Sequence, residues 1–100
     1  MASPGEKLQE RVRTQKKEPE QFKVVLLNDD YTTMEFVMEV LESIFQKSPA
    51  EAYQIMMHVH VQGRGIAGVY PWEVAETKAE AVISEARGAG FPLKAVTEEA

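Results

Sequence analysis

Residues 22–37, FKVVLLNDDYTTMEFV, contain the pattern on which the fold is built. The first six are almost all apolar or β-branched, which predicts a central strand over residues 22–27. The next three, NDD, have short polar side chains that bond nearby backbone groups and favour a turn. Residues 32–35, TTME, match a capping box with Thr32 as the N-cap and Glu35 reaching back. A helix is therefore expected directly after the turn, with Lys47 near its end.

A second helix is predicted to begin at residue 49. Ser48 suits an N-cap, Pro49 suits the first helical position, and Glu51 completes a capping box. Gly63 is expected to end this helix in a left-handed conformation. Three residues separate the two predicted helices, so we expect a helical hairpin.

Three more elements complete the chain: a strand over residues 65–70, a helix over 73–87 and a strand over 93–97. The order β-α-α-β-α-β does not alternate strictly, which predicts an α+β domain. We expect a three-stranded antiparallel sheet packed against three helices. Residues 1–21 are polar and highly charged, so they are predicted to form a flexible N-terminal arm, and residues 22–100 the folded domain.

Composition excludes several classes of protein. A chain of 100 residues suits one domain. No apolar run is long enough for a membrane span, the N-terminus lacks a secretory signal, and there is no cysteine, so we expect a cytoplasmic location. The arm holds five basic and four acidic residues, which leaves the rest of the chain at a net charge of -6. An acidic domain repels phosphate backbones and favours a cationic ligand.

Two clusters of polar residues are candidates for a binding site. Adjacent carboxylates at Asp29 and Asp30 repel each other unless a cation compensates, although a turn that only shapes the corner explains them equally well. His58 and His60 point about 200° apart on a helix and cannot chelate one ion together. One of them is expected to face the core and the other to face solvent.

Other motifs limit the possible chemistry. The glycines fit neither the dinucleotide-binding nor the P-loop spacing, and no serine lies in a nucleophile elbow. The two predicted helices of the hairpin are rich in methionine, which usually fills a core. As a group, such flexible thioethers are also able to line a pocket for apolar side chains of differing shape. The methionines are Met34, Met38, Met56 and Met57.

Four segments in this order closely resemble the ClpS family, the adaptors of the bacterial Clp protease: NDDYTTMEFV at 28–37, HVH at 58–60, GVY at 68–70 and EVAETK at 73–78. The resemblance spans about residues 22–99 and leaves the arm uncovered. It implies a cytoplasmic, monomeric recognition module with no catalytic residue, cofactor or metal. Its partners would be proteins beginning with Phe, Leu, Trp or Tyr (N-degrons) and the N-terminal domain of the ClpA-type AAA+ unfoldase, whose substrate choice it modulates.

The resemblance also implies roles for single residues. One set would receive the α-amino group of the substrate: Asn28, Asp29 and His60. A second set would wall the pocket for the first side chain: Thr32, Met34, Met56, Val59 and Leu93. Asp30 would belong to the same acidic corner, and Met34 would exclude the β-branched Ile and Val. A third set would dock on the unfoldase: Glu73 and Lys78.

Two positions depart from the family pattern. Thr33 stands where the family usually has proline, which implies a loop softened by about 0.4 to 1 kcal/mol and a looser pocket rim. Ala67 stands where cysteine is common, a small-for-small exchange with little expected effect.

Two other functions remain open from the residues alone. The first is an acid–base or metal-dependent hydrolase that uses Asp29, Asp30 and His60, although it lacks an evident nucleophile or third metal ligand. The second is a structural or ribosome-associated domain, which would have no reason to prefer a particular N-terminal residue.

Overall fold

The computed structural model describes residues 20–100, so the predicted arm lies outside the described residues except for Glu20 and Gln21. The elements are β1 (Gln21–Leu27), α1 (Met34–Ser43), α2 (Pro49–Gln62), β2 (Arg64–Pro71), α3 (Trp72–Ala89) and β3 (Lys94–Glu99). The predicted order β-α-α-β-α-β is confirmed. None of the helices in this part of the chain is long and apolar enough to cross a membrane.

The three strands form one antiparallel sheet in the order β2-β1-β3. β1 is the central strand, as its largely apolar sequence predicts. Val25 lies opposite Ile66 on one side and Val96 on the other, and a bulge interrupts the pairing with β2 between Val24 and Val25.

All three helices pack on the same face of the sheet. Val24 and Leu26 on β1 belong to the hydrophobic core that the helices complete, whereas the intervening Val25 points to the opposite face, since successive strand residues alternate. The helices contribute buried residues from one stripe each: Val37, Val40 and Leu41 from α1, Ala52, Met56 and Val59 from α2, and Ala75, Ala79, Val82 and Ala86 from α3. One face of the sheet is therefore left without a covering helix.

The start of α1 differs from the sequence prediction. The N-cap is Thr33, whose hydroxyl accepts a hydrogen bond from the Phe36 backbone N–H at 3.1 Å. Thr32 instead donates its hydroxyl to the Asp29 carboxylate at 2.6 Å. Both threonines suit a cap by composition, but the contact with Asp29 commits Thr32 to the preceding turn.

The end of α1 also differs from the prediction. The helix stops at Ser43, and Lys47 lies in the linker to α2 rather than near the end of α1. Gln46 adopts a φ of 51°, and the Lys47 backbone N–H turns back to the Leu41 carbonyl at 3.1 Å. No turn motif in the sequence predicts this reversal of the chain between α1 and α2.

The boundaries predicted for α2 are confirmed. Ser48 and Glu51 form both halves of the capping box, Pro49 occupies the first turn, and Gly63 ends the helix with a φ of 88°. The Gly63 carbonyl then accepts a hydrogen bond from the Asn28 backbone N–H at 2.9 Å. The end of α2 is thereby tied to the residue that follows β1.

Gly65 allows α2 to lie directly against the beginning of β2. A Cβ atom at this position would sit 2.6 Å from the Val59 Cγ2 atom, too close for van der Waals contact. Because valine is short and stiff about χ1, it has little room to move aside.

We expect Gly65→Ala to lower the free energy of unfolding by about 1 to 3 kcal/mol, the usual cost of overpacking a core contact. Gly88→Ala is the matched control, because Gly88 lies inside α3 with open space around its Cα. Alanine there should raise stability by about 0.5 to 1 kcal/mol through its helix propensity. Urea denaturation measures both; equal stability of the two variants would contradict the close contact.

Candidate functional site

A cavity of about 250 Å³ opens where the loop after β1, the start of α1 and the last turns of α2 meet. We call it the cup. Its lining is polar at one end and apolar at the other: Asn28, Asp29, Asp30, Thr32 and His60, then Met34, Val37, Met56 and Val59. The structure thus brings together most of the residues that the resemblance assigns to one site.

Asp29 organises the loop that forms the polar end of the cup. One carboxylate oxygen accepts hydrogen bonds from the backbone N–H groups of Tyr31 and Thr32 at 2.8 and 2.7 Å. The other accepts the Thr32 hydroxyl. Of the two explanations for the adjacent acids, shaping of the turn therefore applies to Asp29. A carboxylate has about four acceptor positions, so Asp29 still has capacity for a further donor.

The hydrogen bonds of Asp29 outweigh the effect of its partial burial. Desolvation alone would raise the pKa of Asp29, but the Thr32 hydroxyl and the two backbone N–H groups lower the pKa below its ordinary value of 3.8. Asp29 consequently stays negatively charged across the neutral and mildly acidic range.

Three other polar side chains of the cup have no partner among the described residues. Within residues 20–100, no hydrogen bond involves the side chain of Asn28, Asp30 or His60. His60 is exposed, as is His58, so the expectation that one histidine faces the core is wrong. The one-residue spacing places the two imidazoles on opposite sides of α2, where each lines a different cavity.

The apolar end of the cup is formed by side chains from α1 and α2. Met56 and Val59 are buried in the core, whereas Met34 is 45% exposed and stands at the mouth. Val37 also lines the cavity, although the sequence analysis did not include it. The helical spacing was enough to predict Val37 as a lining residue, because it follows Met34 by three residues and shares its face of α1.

Leu93 lies elsewhere. It is buried in the core and lines a separate cavity between the end of α3 and β3 rather than the cup. Its neighbours there include Ile83 and Phe91.

The two predicted docking residues have different surroundings. Glu73 is exposed in the first turn of α3. Lys78 is partly buried: its ammonium donates to the Ile44 carbonyl at the end of α1 and lies 5.2 Å from the centre of the Tyr70 ring. Lys78 therefore joins α3 to the end of α1.

Within residues 20–100, no group of three histidine, aspartate or glutamate side chains is arranged to hold a metal ion. The fold and the cup together define a small α+β module with an acceptor-lined, half-apolar cavity.

Comparisons with known proteins identify the family of this module. Residues 17–96 match the family model described as ATP-dependent Clp protease adaptor protein ClpS. The ClpS protein of Desulfatibacillum aliphaticivorans is 60% identical over 86 residues, covering 85% of this chain and 83% of that protein. The ClpS protein of Wolinella succinogenes is 56% identical over 82 residues, covering 82% and 80%.

A solved structure is also similar. It is Agrobacterium tumefaciens ClpS2 bound to L-phenylalaninamide, 41% identical with a TM-score of 0.80, and the match covers 83% of this chain and 100% of that one. This chain belongs to the ClpS family of Clp protease adaptors. The hydrolase alternative is not supported, because the matched family is an adaptor of a protease.

Removing the Thr32 hydroxyl tests the loop network. We expect Thr32→Val to raise the pKa of Asp29. Thr32→Ser keeps the hydroxyl and should leave the pKa of Asp29 low. An NMR titration of the Asp29 carboxyl carbon measures this pKa in both variants. Because folding lowers this pKa, its stabilisation is present above 3.8 and is lost as pH falls through the folded value. Thr32→Val should therefore be less stable than the parent protein above pH 3.8, and it should lose less stability as the pH falls below that value. An identical pKa in both variants would contradict the assigned hydrogen bond.

Proposed function

We propose that this protein binds polypeptides through their first residue, when it is Phe, Leu, Trp or Tyr, and delivers them to a ClpA-type unfoldase. The observation that carries the proposal is the cup, which places uncommitted acceptors beside an apolar wall. Its volume of about 250 Å³ lies just below the ~300 to 1,000 Å³ of small-molecule pockets, so it suits one residue rather than a long segment.

The polar end of the cup suits an α-ammonium group. Such a group has three N–H donors and one positive charge, so it requires converging acceptors of which at least one is anionic. Asn28, Asp29 and His60 supply an amide oxygen, a carboxylate and an imidazole nitrogen around one cavity. Hydrogen bonds to a charged group contribute about 1.5 to 3 kcal/mol.

The apolar end suits the side chain of the same residue. Met56 and Val59 form a buried wall, and the flexible Met34 lies at the mouth, where it is able to adapt to rings and branched chains. Burial of a large apolar side chain contributes about 1.5 to 3 kcal/mol. Selectivity follows because neither half of the contact suffices alone.

The ligand of the similar structure supports this assignment. L-phenylalaninamide, bound by Agrobacterium tumefaciens ClpS2, has a free α-ammonium and an aromatic side chain on one residue. It therefore presents both groups that the cup of this chain is suited to accept.

The proposal is tested with labelled peptides that differ only at the first residue. The peptide beginning with Phe should bind tightly by fluorescence anisotropy, and those beginning with acetyl-Phe, Ile or Arg should bind weakly. Acetylation removes the charge and leaves Asp29 desolvated without a partner, a cost of about 2 to 5 kcal/mol. Equal binding of Phe and acetyl-Phe would refute the ammonium site, and strong binding of Arg would refute the apolar pocket.

The two histidines supply a matched pair of variants for the same assay. We expect His60→Ala to weaken binding of the Phe peptide at least tenfold, because it removes an acceptor from the cup. His58→Ala should leave binding unchanged, because His58 lies on the other side of α2. Equal losses in the two variants would contradict a direct role for His60.

We infer that the unfoldase docks at the beginning of α3. Glu73 is exposed there, and the adjacent Trp72 is 50% exposed while its ring is held edge-on against Phe22 at 5.0 Å. A half-exposed tryptophan with a fixed orientation is typical of interface hot spots. In this role the adaptor would act in the cytoplasm as a monomer.

The tryptophan is a built-in probe of docking, since the chain has one. Addition of the isolated N-terminal domain of the unfoldase should shift the Trp72 emission to shorter wavelength as the ring loses water. A Glu73→Arg variant should weaken this binding at least tenfold, whereas Glu85→Ala, also exposed on α3, should not. An unshifted emission at saturation would place the interface elsewhere without affecting the peptide result.

A further inference from the structure

A second groove, larger than the cup, lies where α2 meets the beginning of the edge strand β2. Its volume is about 540 Å³. Its floor is apolar, with Ile55 from α2 and Ile66 from β2, and Ile66 is 47% exposed. Its rim carries Lys23, His58 and Arg64. We call this the basic groove.

The charge of the basic groove is opposite to that of its surroundings. Residues 20–100 contain thirteen acidic and six basic residues, yet no acidic residue lines this groove. Two of the six, Lys23 and Arg64, line it. A charge distribution of this kind favours a ligand with carboxylates, while the cup on the other side of α2 favours a cation.

One carboxylate of the domain partly offsets the basic rim from the neighbouring strand β3. Glu98 accepts a hydrogen bond from the Arg64 guanidinium at 2.6 Å and lies opposite Lys23 in the register of β1 with β3. The ion pair is about half exposed at Arg64, so it is weak and exchangeable. A carboxylate of an incoming ligand is able to replace Glu98 at this guanidinium.

The size and charge of the basic groove distinguish a peptide from a nucleic acid. A short acidic segment is confined to the groove, and charges beyond about 8 Å are largely screened at physiological salt. A nucleic acid would continue past the rim across the acidic surface and be repelled along its length. The exposed Ile66 floor also requires an apolar group, which a phosphate backbone does not offer.

We propose that the basic groove docks a segment of a partner protein in which carboxylates flank an apolar side chain. The groove and the cup lie on opposite sides of α2, so both are able to be occupied at once. The partner would therefore be held together with a polypeptide bound in the cup.

The probe is an octapeptide of alternating glutamate and leucine residues, acetylated, amidated and labelled with fluorescein, and added to the full-length protein. Acetylation keeps it out of the cup. We expect it to bind at least tenfold more tightly than the same peptide with glutamine in place of glutamate. The Lys23→Gln/His58→Gln variant should weaken its binding at least fivefold.

Two further variants sharpen the test. Glu98→Gln removes the competing carboxylate and should tighten binding at least twofold, whereas Glu99→Gln, one residue away on β3, should not. Lys94→Gln is the control for the basic residues, because Lys94 lies on the same face of the sheet but lines a different cavity. The Phe-led peptide should bind all of these variants normally, which keeps the test independent of the cup.

Three results would overturn the proposal. The glutamine peptide could bind as tightly as the glutamate peptide, which would remove the role of charge. Lys94→Gln could weaken binding as much as the double variant, which would indicate an unspecific electrostatic effect. A single-stranded DNA 12-mer could displace the peptide and lose affinity in the double variant, which would make the groove a nucleic-acid site.

Discussion

The hydrogen bond from the Asn28 N–H to the Gly63 carbonyl holds together the two chain segments that make the cup. One segment is the polar loop after β1, and the other is the end of α2, which carries His60. Gly63 reaches this position because it adopts a left-handed conformation, and Gly65 lets α2 settle against β2 without a clash. A shift of α2 by a single side-chain diameter would separate the acceptors of the cup from its apolar wall.

Asp29 has two tasks that reinforce each other. Three hydrogen bonds from Tyr31 and Thr32 set the shape of the loop, and the same bonds keep the carboxylate ionised by lowering its pKa. These bonds fix the Asp29 carboxylate at the polar end of the cup. Thr33 adds a cap for α1 that proline lacks the side chain to make.

Helix α2 acts as a partition between two surfaces of opposite character. Its buried residues, Ala52, Met56 and Val59, join the core, while His60 faces the cup and His58 faces the basic groove. The uncovered face of the sheet gives the second surface its apolar floor. A small domain that has helices on one face of its sheet therefore has room for two cavities with chemically different linings.

Local signals in the chain were enough to predict the elements, their order and both ends of α2, because caps, proline and a left-handed glycine act within a few residues. They were not enough to choose Thr33 over Thr32 as a cap, since the choice depends on the Asp29 contact. Local signals also did not predict three features of the tertiary structure. These are the contact of Lys78 with Ile44, the position of Leu93 outside the cup, and the basic groove. Each joins residues distant in sequence, and such proximity exists only after the helices pack on the sheet.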